Sequence, residues 1–342
     1  MKKITLFLGA ALLFAGSAHA QLRTLSVAAP TGVGTAPAIG ATRGFSNAPA
    51  PTGRPALGST GAINNDSYVQ QVGEGQMANV SQTGTGRNTA DIEQSPSRIN
   101  VIAPGGDGNY ASQTQVSTGS SASGDQNKAY IGQFGAGSTA IQEQTGTRNQ
   151  AAIRQGNKAG GITGLGVLSG DDYASQKQTG NDNKASIAQN TTIGVSNNSA
   201  TQEQRGNNNN ASASQEAQGH TSVQKQGGVG GGSGNNNNAT VTQRGLNQYA
   251  SQNQQGNDNK ASVTQQTLLT ANNQAIQAQT GDFNRATITQ STSNNFASQT
   301  QSGGNSNYAE TVQGGNLLRD SAYSVTTQQG SNNTAIVHQG VQ

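Results

Sequence analysis

The chain has 342 residues, of which 30% are hydrophobic, 47 are glycine and none is cysteine. Globular domains are roughly 45–50% apolar, so this composition excludes a conventional core of matching size. Without cysteine, no disulfide can compensate for the missing core. The formal net charge of +3 at pH 7 includes Lys2 and Lys3 and is too small to indicate a nucleic-acid-binding protein.

Residues 1–20 have the pattern of a secretory signal peptide. Lys2 and Lys3 form a basic start, residues 4–15 are mainly apolar, and Ala18 and Ala20 give a small-x-small cleavage site. The apolar stretch is too short to span a membrane. The sequence therefore predicts that the chain is exported.

Residues 21–66 are rich in Pro, Gly and Ala, which predicts a flexible N-terminal segment. All seven prolines of the chain lie before residue 105. Since proline cannot donate a hydrogen bond to a neighbouring strand, residues 105–342 can form continuous sheet structure on this criterion.

A short pattern recurs from residue 67 to the end of the chain: Gln-x-Gly-x-x-Asn-x-Ala-x-(apolar or Gln)-x-Gln. One copy contains Gln178, Gly180, Asn183, Ala185 and Gln189. Alternate side chains of a strand lie on one face, so the recurring residues share a face, and the Gly-containing segment between them forms a turn. Residues 67–342 are therefore predicted to be a stack of strand repeats.

The residue before the closing x-Gln alternates between Gln and an apolar residue, as in Gln176, Ile187, Gln202 and Ala213. Two alternating strand types predict an all-β solenoid with two strands per turn, a cross-β amyloid core of about eleven layers spaced about 4.8 Å apart. Gln176 is expected to stack on Gln202, and Ile187 on Ala213. The first units are irregular, with Val69 and Ile92 predicted in strands of the Gln type.

The predicted inward core residues are Gln144, Asn149, Ile153, Gln155, Gln176, Gln178, Asn183, Ile187, Gln189, Gln202, Gln204, Asn209, Gln215, Asn237, Val241, Gln243, Gln252, Gln254, Asn259, Val263, Gln265, Gln277, Gln279, Asn284, Ile288, Gln290, Gln299 and Gln301. The predicted turn glycines are Gly146, Gly180, Gly206, Gly256 and Gly281.

The last predicted strand contains Ala335, Val337 and Gln339 and is followed by Gly340, Val341 and Gln342. Proteins usually protect such an edge with proline, charge or a covering element. An open last layer can template the first layer of another copy, which gives a head-to-tail contact that does not close. Ala335, Val337 and Gln339 are therefore the predicted polymerisation end, with the chain itself as the partner.

The repeat resembles the curlin repeat of curli, the functional amyloid fibres on bacterial surfaces. The resemblance covers roughly residues 67–342, and the matching Gln and Asn positions include Gln178, Asn183, Gln189, Gln204, Asn209, Gln215, Gln254, Asn259 and Gln265. It implies a subunit, major rather than minor, that crosses the outer membrane unfolded through a dedicated pore. It also implies assembly on a minor nucleator subunit into a biofilm matrix that aids adhesion.

Neither an enzyme nor a cofactor or metal site is indicated. His220 and His338, the histidines outside the predicted signal peptide, are not accompanied by a catalytic arrangement, and the Asp-containing turns do not form a calcium-binding array. The alternative function is a discrete surface adhesin, a β-solenoid that does not polymerise. An ice-binding solenoid and an unstructured matrix polymer fit less well, because outward residues are mixed and the strand alternation is regular.

Overall fold

The structure is a computed structural model that describes residues 65–340, except 73–74, 85–86, 96–107, 119–124, 136, 157–170, 191–196, 229–231, 233, 268–271 and 315–320. The predicted signal peptide and nearly all of the predicted N-terminal segment lie outside the described residues. Within them the chain consists of strands and turns, and no helix there is long and apolar enough to cross a membrane.

Twenty-one strands follow one another along the described part of the chain. Their bounds are β1 (Asp66–Gln71), β2 (Met77–Gly84), β3 (Arg87–Ser95), β4 (Tyr110–Ser117), β5 (Asp125–Phe134), β6 (Thr139–Thr147), β7 (Gln150–Gln155), β8 (Tyr173–Asn181), β9 (Lys184–Asn190), β10 (Ser199–Arg205), β11 (Asn210–Gln218), β12 (Thr221–Gly227), β13 (Asn238–Leu246), β14 (Tyr249–Gln255), β15 (Lys260–Gln266), β16 (Gln274–Thr280), β17 (Arg285–Gln290), β18 (Phe296–Ser302), β19 (Tyr308–Gln313), β20 (Tyr323–Gln329) and β21 (Thr334–Gln339).

The odd-numbered strands form an 11-stranded sheet and the even-numbered strands form a 10-stranded sheet. Each strand therefore crosses to the opposite sheet from the one before it, and two strands complete one turn of a coil. We call the even sheet the amide sheet, because the middle inward residue of β4–β18 is Gln, and the odd sheet the aliphatic sheet, because that residue is mostly Ile or Val. The predicted all-β solenoid with two strands per turn is confirmed.

Neighbouring strands are parallel and aligned so that equivalent repeat positions stack. Gln176 pairs with Gln202 in the amide sheet, and Ile187 pairs with Ala213 in the aliphatic sheet, as predicted. The same alignment recurs between later strands, where Val241 pairs with Val263. Identical side chains thus form columns along the solenoid axis, which is the arrangement of a cross-β stack.

The prediction for the first units was wrong in one respect. Val69 and Ile92 were predicted in strands of the Gln type, but both lie in the aliphatic sheet. There Val69 pairs with Ile92, and Ile92 pairs with Ile131. The irregular residue is instead Val80, which stands opposite Gln113 in the amide sheet. The sequence also predicts a partner strand for Ile92 at residues 98–103, and these residues lie outside the described part of the chain.

The turns between layers depend on glycine and on Asn or Asp in left-handed conformations. Gly206 has φ of 109° and Asn208 has φ of 56°, and Gly256 and Asp258 repeat this pair with 118° and 56°. Positive φ is strained for most residues, but it is accessible to Gly and is tolerated best by Asn and Asp. A Cβ atom on Gly206 would also lie 2.0 Å from the carbonyl oxygen of Gly234 in the next layer.

Replacing Gly206 with Ala is expected to destabilise the solenoid by about 3 kcal/mol, because strain at positive φ adds to the backbone clash. The measurement is guanidinium unfolding followed by circular dichroism. Gly227→Ala is the matched control, since Gly227 does not have positive φ and the nearest atom to its added Cβ is 3.4 Å away. Equal midpoints for the two variants would contradict this account of the turn.

Candidate functional site

The interior between the two sheets is filled by three inward residues from each strand. In β14 these are Ala250, Gln252 and Gln254, which are exposed by 0%, 1% and 0% of their surface. Every residue predicted to be inward, from Gln144 to Gln301, is likewise exposed by no more than 1%. The repeat therefore buries uncharged amides as regularly as it buries aliphatic side chains.

Most buried Gln amides use their polar atoms in the same way, as Gln252 shows. Gln252 Nε2 donates one hydrogen bond to Gln277 Oε1 at 2.9 Å and another to the carbonyl oxygen of Thr240 in the opposite sheet at 3.0 Å. Its Oε1 accepts a bond from Gln224 Nε2 at 2.9 Å. Both donors and the acceptor are satisfied, which removes the cost of about 1–3 kcal/mol for each buried group left without a partner.

Three such amide columns run along the solenoid. The middle Gln residues of the amide sheet form one, and the closing Gln residues of each sheet form the other two. Their members are Gln113, Gln142, Gln176, Gln202, Gln224, Gln252, Gln277 and Gln299; Gln82, Gln115, Gln144, Gln178, Gln204, Gln226, Gln254, Gln279, Gln301 and Gln328; and Gln71, Gln94, Gln133, Gln155, Gln189, Gln215, Gln243, Gln265, Gln290, Gln313 and Gln339.

The middle residues of the aliphatic sheet form an apolar column with one weak point. Ile153 and Ile187 belong to a buried cluster that ends at Ala213. The next residue of the column, Val241, belongs to a second cluster. Ala213 is too short to join the two, so the apolar core is divided there while the closing-Gln column continues past it through Gln215 and Gln243 at 2.9 Å.

The conserved spacing of Gly and Asn within the repeat has a structural cause. The backbone N–H of Asn209 donates to Asn183 Oδ1 at 3.0 Å, and Asn209 Nδ2 donates to the carbonyl oxygen of Gly234 at 2.7 Å. Asn183 Nδ2 makes the equivalent bond to the carbonyl oxygen of Gly206 at 2.7 Å. Each Asn therefore connects its own turn to the turns before and after it, which explains why Asn follows the turn glycine at a fixed distance.

Two further columns were not predicted. On the opposite side of the solenoid, the backbone N–H of Asn295 donates to Asn273 Oδ1 at 2.9 Å, and that of His220 donates to Asn198 Oδ1 at 3.0 Å. In the exposed turns, the N–H of Asn181 donates to Asn207 Oδ1 at 2.9 Å. The recurrence of Asn two residues before the Ala of the Gln-type strands could have revealed the first of these columns.

The predicted turn glycines have left-handed conformations, and the residues of the predicted polymerisation end lie in the last described strand. Gly146, Gly180, Gly206, Gly256 and Gly281 all have positive φ, between 109° and 119°. Ala335, Val337 and Gln339 point inward from β21, the last strand of the aliphatic sheet, and remain partly exposed.

His220 is a titratable member of the Asn column on the opposite side of the solenoid, here called the second Asn column. Its ring is fully buried, and Nε2 lies 2.8 Å from the carbonyl oxygen of Glu216, so Nε2 carries the proton and donates it. Burial lowers the pKa of His220 below its ordinary value, against the effect of hydrogen bonds to the Glu216 and Gly245 carbonyls. The ring is therefore neutral in the folded chain at neutral pH.

This pKa gives the stability of the fold a pH dependence of known sign. Because the folded pKa is depressed, the unfolded chain binds more protons below about pH 6.5, so the contribution of His220 is complete above that pH and is lost on acidification. The wild-type chain should lose unfolding free energy when the pH is lowered from 7.5 to 5, and His220→Asn should make this loss smaller. The measurement is guanidinium unfolding at the two pH values. Gln248→Asn changes a residue that does not titrate, at the equivalent position of the next layer, so it is the control and should leave the difference unchanged; equal effects of both substitutions would contradict the assignment.

Truncating one member of an amide column should be costly. Gln254→Ala removes the acceptor of Gln226 Nε2 and the donor to Gln279 Oε1 and to the Asn238 carbonyl oxygen. We expect a loss of about 3 kcal/mol in unfolding free energy, because several buried polar groups lose partners. Gln255→Ala, one residue further along β14 and outward-facing, should cost under about 0.5 kcal/mol, and similar losses for the two variants would contradict the proposed role of the column.

The arrangement is a set of hydrogen-bonded and apolar columns. The described residues contain no group of three or more His, Cys, Asp or Glu side chains placed to hold a metal ion. What the geometry provides is a stack of nearly identical layers, each able to bind the next.

Comparison with known proteins bears on this repeat. Residues 234–266, which include all of β13, β14 and β15, match the family model described as curlin associated repeat. A comparison with curated proteins finds none that matches the chain. The match lies within a solenoid whose columns repeat the same motif in the layers before and after it. Residues 234–266 of the chain therefore form a curlin associated repeat.

Proposed function

We propose that the chain is the structural subunit of an extracellular, curli-like functional amyloid fibre that grows head to tail through the two ends of the solenoid. The observation that carries this proposal is the direction of the amide columns. Gln71 Nε2 donates to Gln94 Oε1 at 2.8 Å, and Gln313 Nε2 donates to Gln339 Oε1 at 2.9 Å. In the columns the donor belongs to the earlier layer and the acceptor to the later layer.

This direction makes the two ends complementary. At the last layer, Gln339 Nε2 donates to the carbonyl oxygen of Tyr323 at 2.9 Å and has a second N–H available for a following layer. At the first layer, Gln71 Oε1 is the atom that would accept it. A second copy stacked in the same register would place Gln71 over Gln339 and Val69 over Val337, so that the columns of the aliphatic sheet continue across the junction.

The backbone of the last layer is arranged in the same way. The N–H of outward-facing Tyr308 donates to the carbonyl oxygen of inward-facing Asn333 at 2.8 Å, so outward residues bond to the following strand. By this pattern the N–H groups of outward-facing Val325 and Ile336 point to the open side of β20 and β21. In the described part of the chain no strand pairs with these outer edges. Unpaired strand edges of this kind bind further strands.

Three apolar side chains of the last layers are unusually exposed. Tyr323, Val325 and Ile336 are exposed by 56%, 55% and 58%. In a stacked fibre, Ile336 on β21 would gain a neighbour from β1 of the next copy, as Phe296 already neighbours Tyr323. Burial of this surface adds a hydrophobic contribution to stacking.

The remaining parts of the proposal rest on the family resemblance. They are export of the chain, passage through an outer-membrane pore, nucleation on a minor subunit, and a place in a biofilm matrix. The chain acts in this proposal as a building element and not as an enzyme. A discrete adhesin would have the same fold but would remain monomeric, so the polymerisation experiment distinguishes the two functions.

The test uses residues 21–342, without the predicted signal peptide. We expect the chain at micromolar concentration to form fibres visible by electron microscopy, with thioflavin fluorescence and a reflection near 4.7–4.8 Å along the fibre axis. A variant carrying Val325→Pro and Ile336→Pro should not elongate, because proline removes the N–H groups at the open edge and leaves the inward pairing of β20 and β21 intact.

The matched control carries Val325→Ala and Ile336→Ala, and it should still form fibres. A wild-type chain that stays a β-rich monomer would overturn the proposal in favour of the adhesin. Fibre growth of the double-proline variant at the wild-type rate would show that growth does not proceed through this end.

A further inference from the structure

The outward surface of the amide sheet, here called the amide face, divides into two parts. In β6, β8, β10 and β12 one outward column carries Glu143, Lys177, Glu203 and Lys225. The signs alternate, and Lys177 Nζ lies 2.9 Å from Glu143 Oε2. These side chains are solvated, and covering them would remove four charges from water.

The second part of the amide face is uncharged. The outward residues of β14, β16, β18 and β20 include Tyr249, Ile276, Phe296, Tyr323 and Val325, and none of the others on these strands is charged. The rings of Phe296 and Tyr323 are stacked with centroids 4.9 Å apart and planes inclined by 14°. This part, defined by the outward residues of these four strands, is called the uncharged patch.

The uncharged patch is continued by the other end of the chain. The outward residues of β2 and β4, which include Met77 and Tyr110, are also uncharged. In the head-to-tail fibre proposed above, the aliphatic sheet is continuous and has one strand more than the amide sheet, so β2 of the next copy lies two strand spacings beyond β20. The six uncharged strands then lie on the same face, on the two sides of each junction.

We propose that this patch is a lateral contact surface, and that its partner is the same patch on a second fibre of this chain. Four strands spaced about 4.8 Å apart and about 20 Å long offer about 400 Å² per partner, well below the roughly 800 Å² of a stable interface. Six strands offer about 600 Å², and the patch recurs once in every subunit along both fibres.

The chemistry of the patch agrees with this partner. Sheets that pack face to face approach to about 10 Å and interdigitate apolar and small uncharged side chains. The patch supplies Ile276, Phe296 and Val325 among Ser and Thr, and no charge has to be buried. Because polymerisation completes the patch and repeats it, the monomer stays unpaired and the fibre associates laterally.

The test compares two substitutions at equivalent positions. Val223, Ser251 and Ile276 occupy one outward column in neighbouring strands. Ile276→Lys places a charge inside the uncharged patch, two strands away from β20 and the junction. Val223→Lys places the same charge in the part of the face that already carries Lys225, and it is the matched control.

Electron microscopy should show laterally paired fibres for the wild type and for Val223→Lys, and single fibres for Ile276→Lys. Thioflavin end points and the axial 4.7–4.8 Å reflection should be the same for all three chains, which shows that layer stacking is intact. Solution scattering of freshly prepared wild-type chain before assembly should show monomers.

The inference depends on the proposed function, and the outcomes separate the two. Wild-type fibres that remain single, or Ile276→Lys fibres that pair as the wild type does, overturn the lateral contact and leave polymerisation standing. Lateral pairing lost equally in both lysine variants assigns the contact to the whole face and also overturns the inference. A wild-type chain that forms no fibres overturns the proposed function together with the lateral contact.

Discussion

The fold depends on the need to satisfy buried glutamine amides. Each inward Gln requires an acceptor one layer further along its sheet and a carbonyl oxygen in the opposite sheet, as Gln252 finds in Gln277 and Thr240. Both requirements are met when identical layers stack in register. The aligned parallel sheets, the two-strand turn and the narrow interior follow from this one condition.

The same condition explains where the sequence is free to vary. Gln243 and Gln265 are 22 residues apart and Gln155 and Gln189 are 34 apart, yet both pairs make the same bond at 3.0 Å. Extra residues are accommodated between strands, where they do not change the register. In the last layer, Gln339 has a side-chain N–H group, and the described part of the chain has no following layer to accept its hydrogen bond. A further copy would supply that acceptor in the proposed fibre, so the interaction that stabilises the fold would also favour the proposed assembly.

Much of the core could be predicted because inward residues alternate with outward ones and the middle residue identifies the sheet. The first layers could not, because Val80 replaces the expected Gln and the strand types of Val69 and Ile92 were exchanged. The second Asn column was hidden because residues such as Asp172, His220 and Gln248 stand in some of its layers. The left-handed φ of Asn208 or Asp258 follows from residue type, but the direction of the amide columns requires coordinates.

The most direct test of the amide columns is hydrogen exchange of the Gln side-chain amides, measured by NMR in the assembled chain. Inward Gln252 and Gln254 should exchange as slowly as the backbone amides of β14, whereas outward Gln255 should exchange rapidly, because buried bonded N–H groups open with the surrounding structure. Equal, rapid exchange of all three side chains would show that the columns are not hydrogen-bonded and would contradict the account.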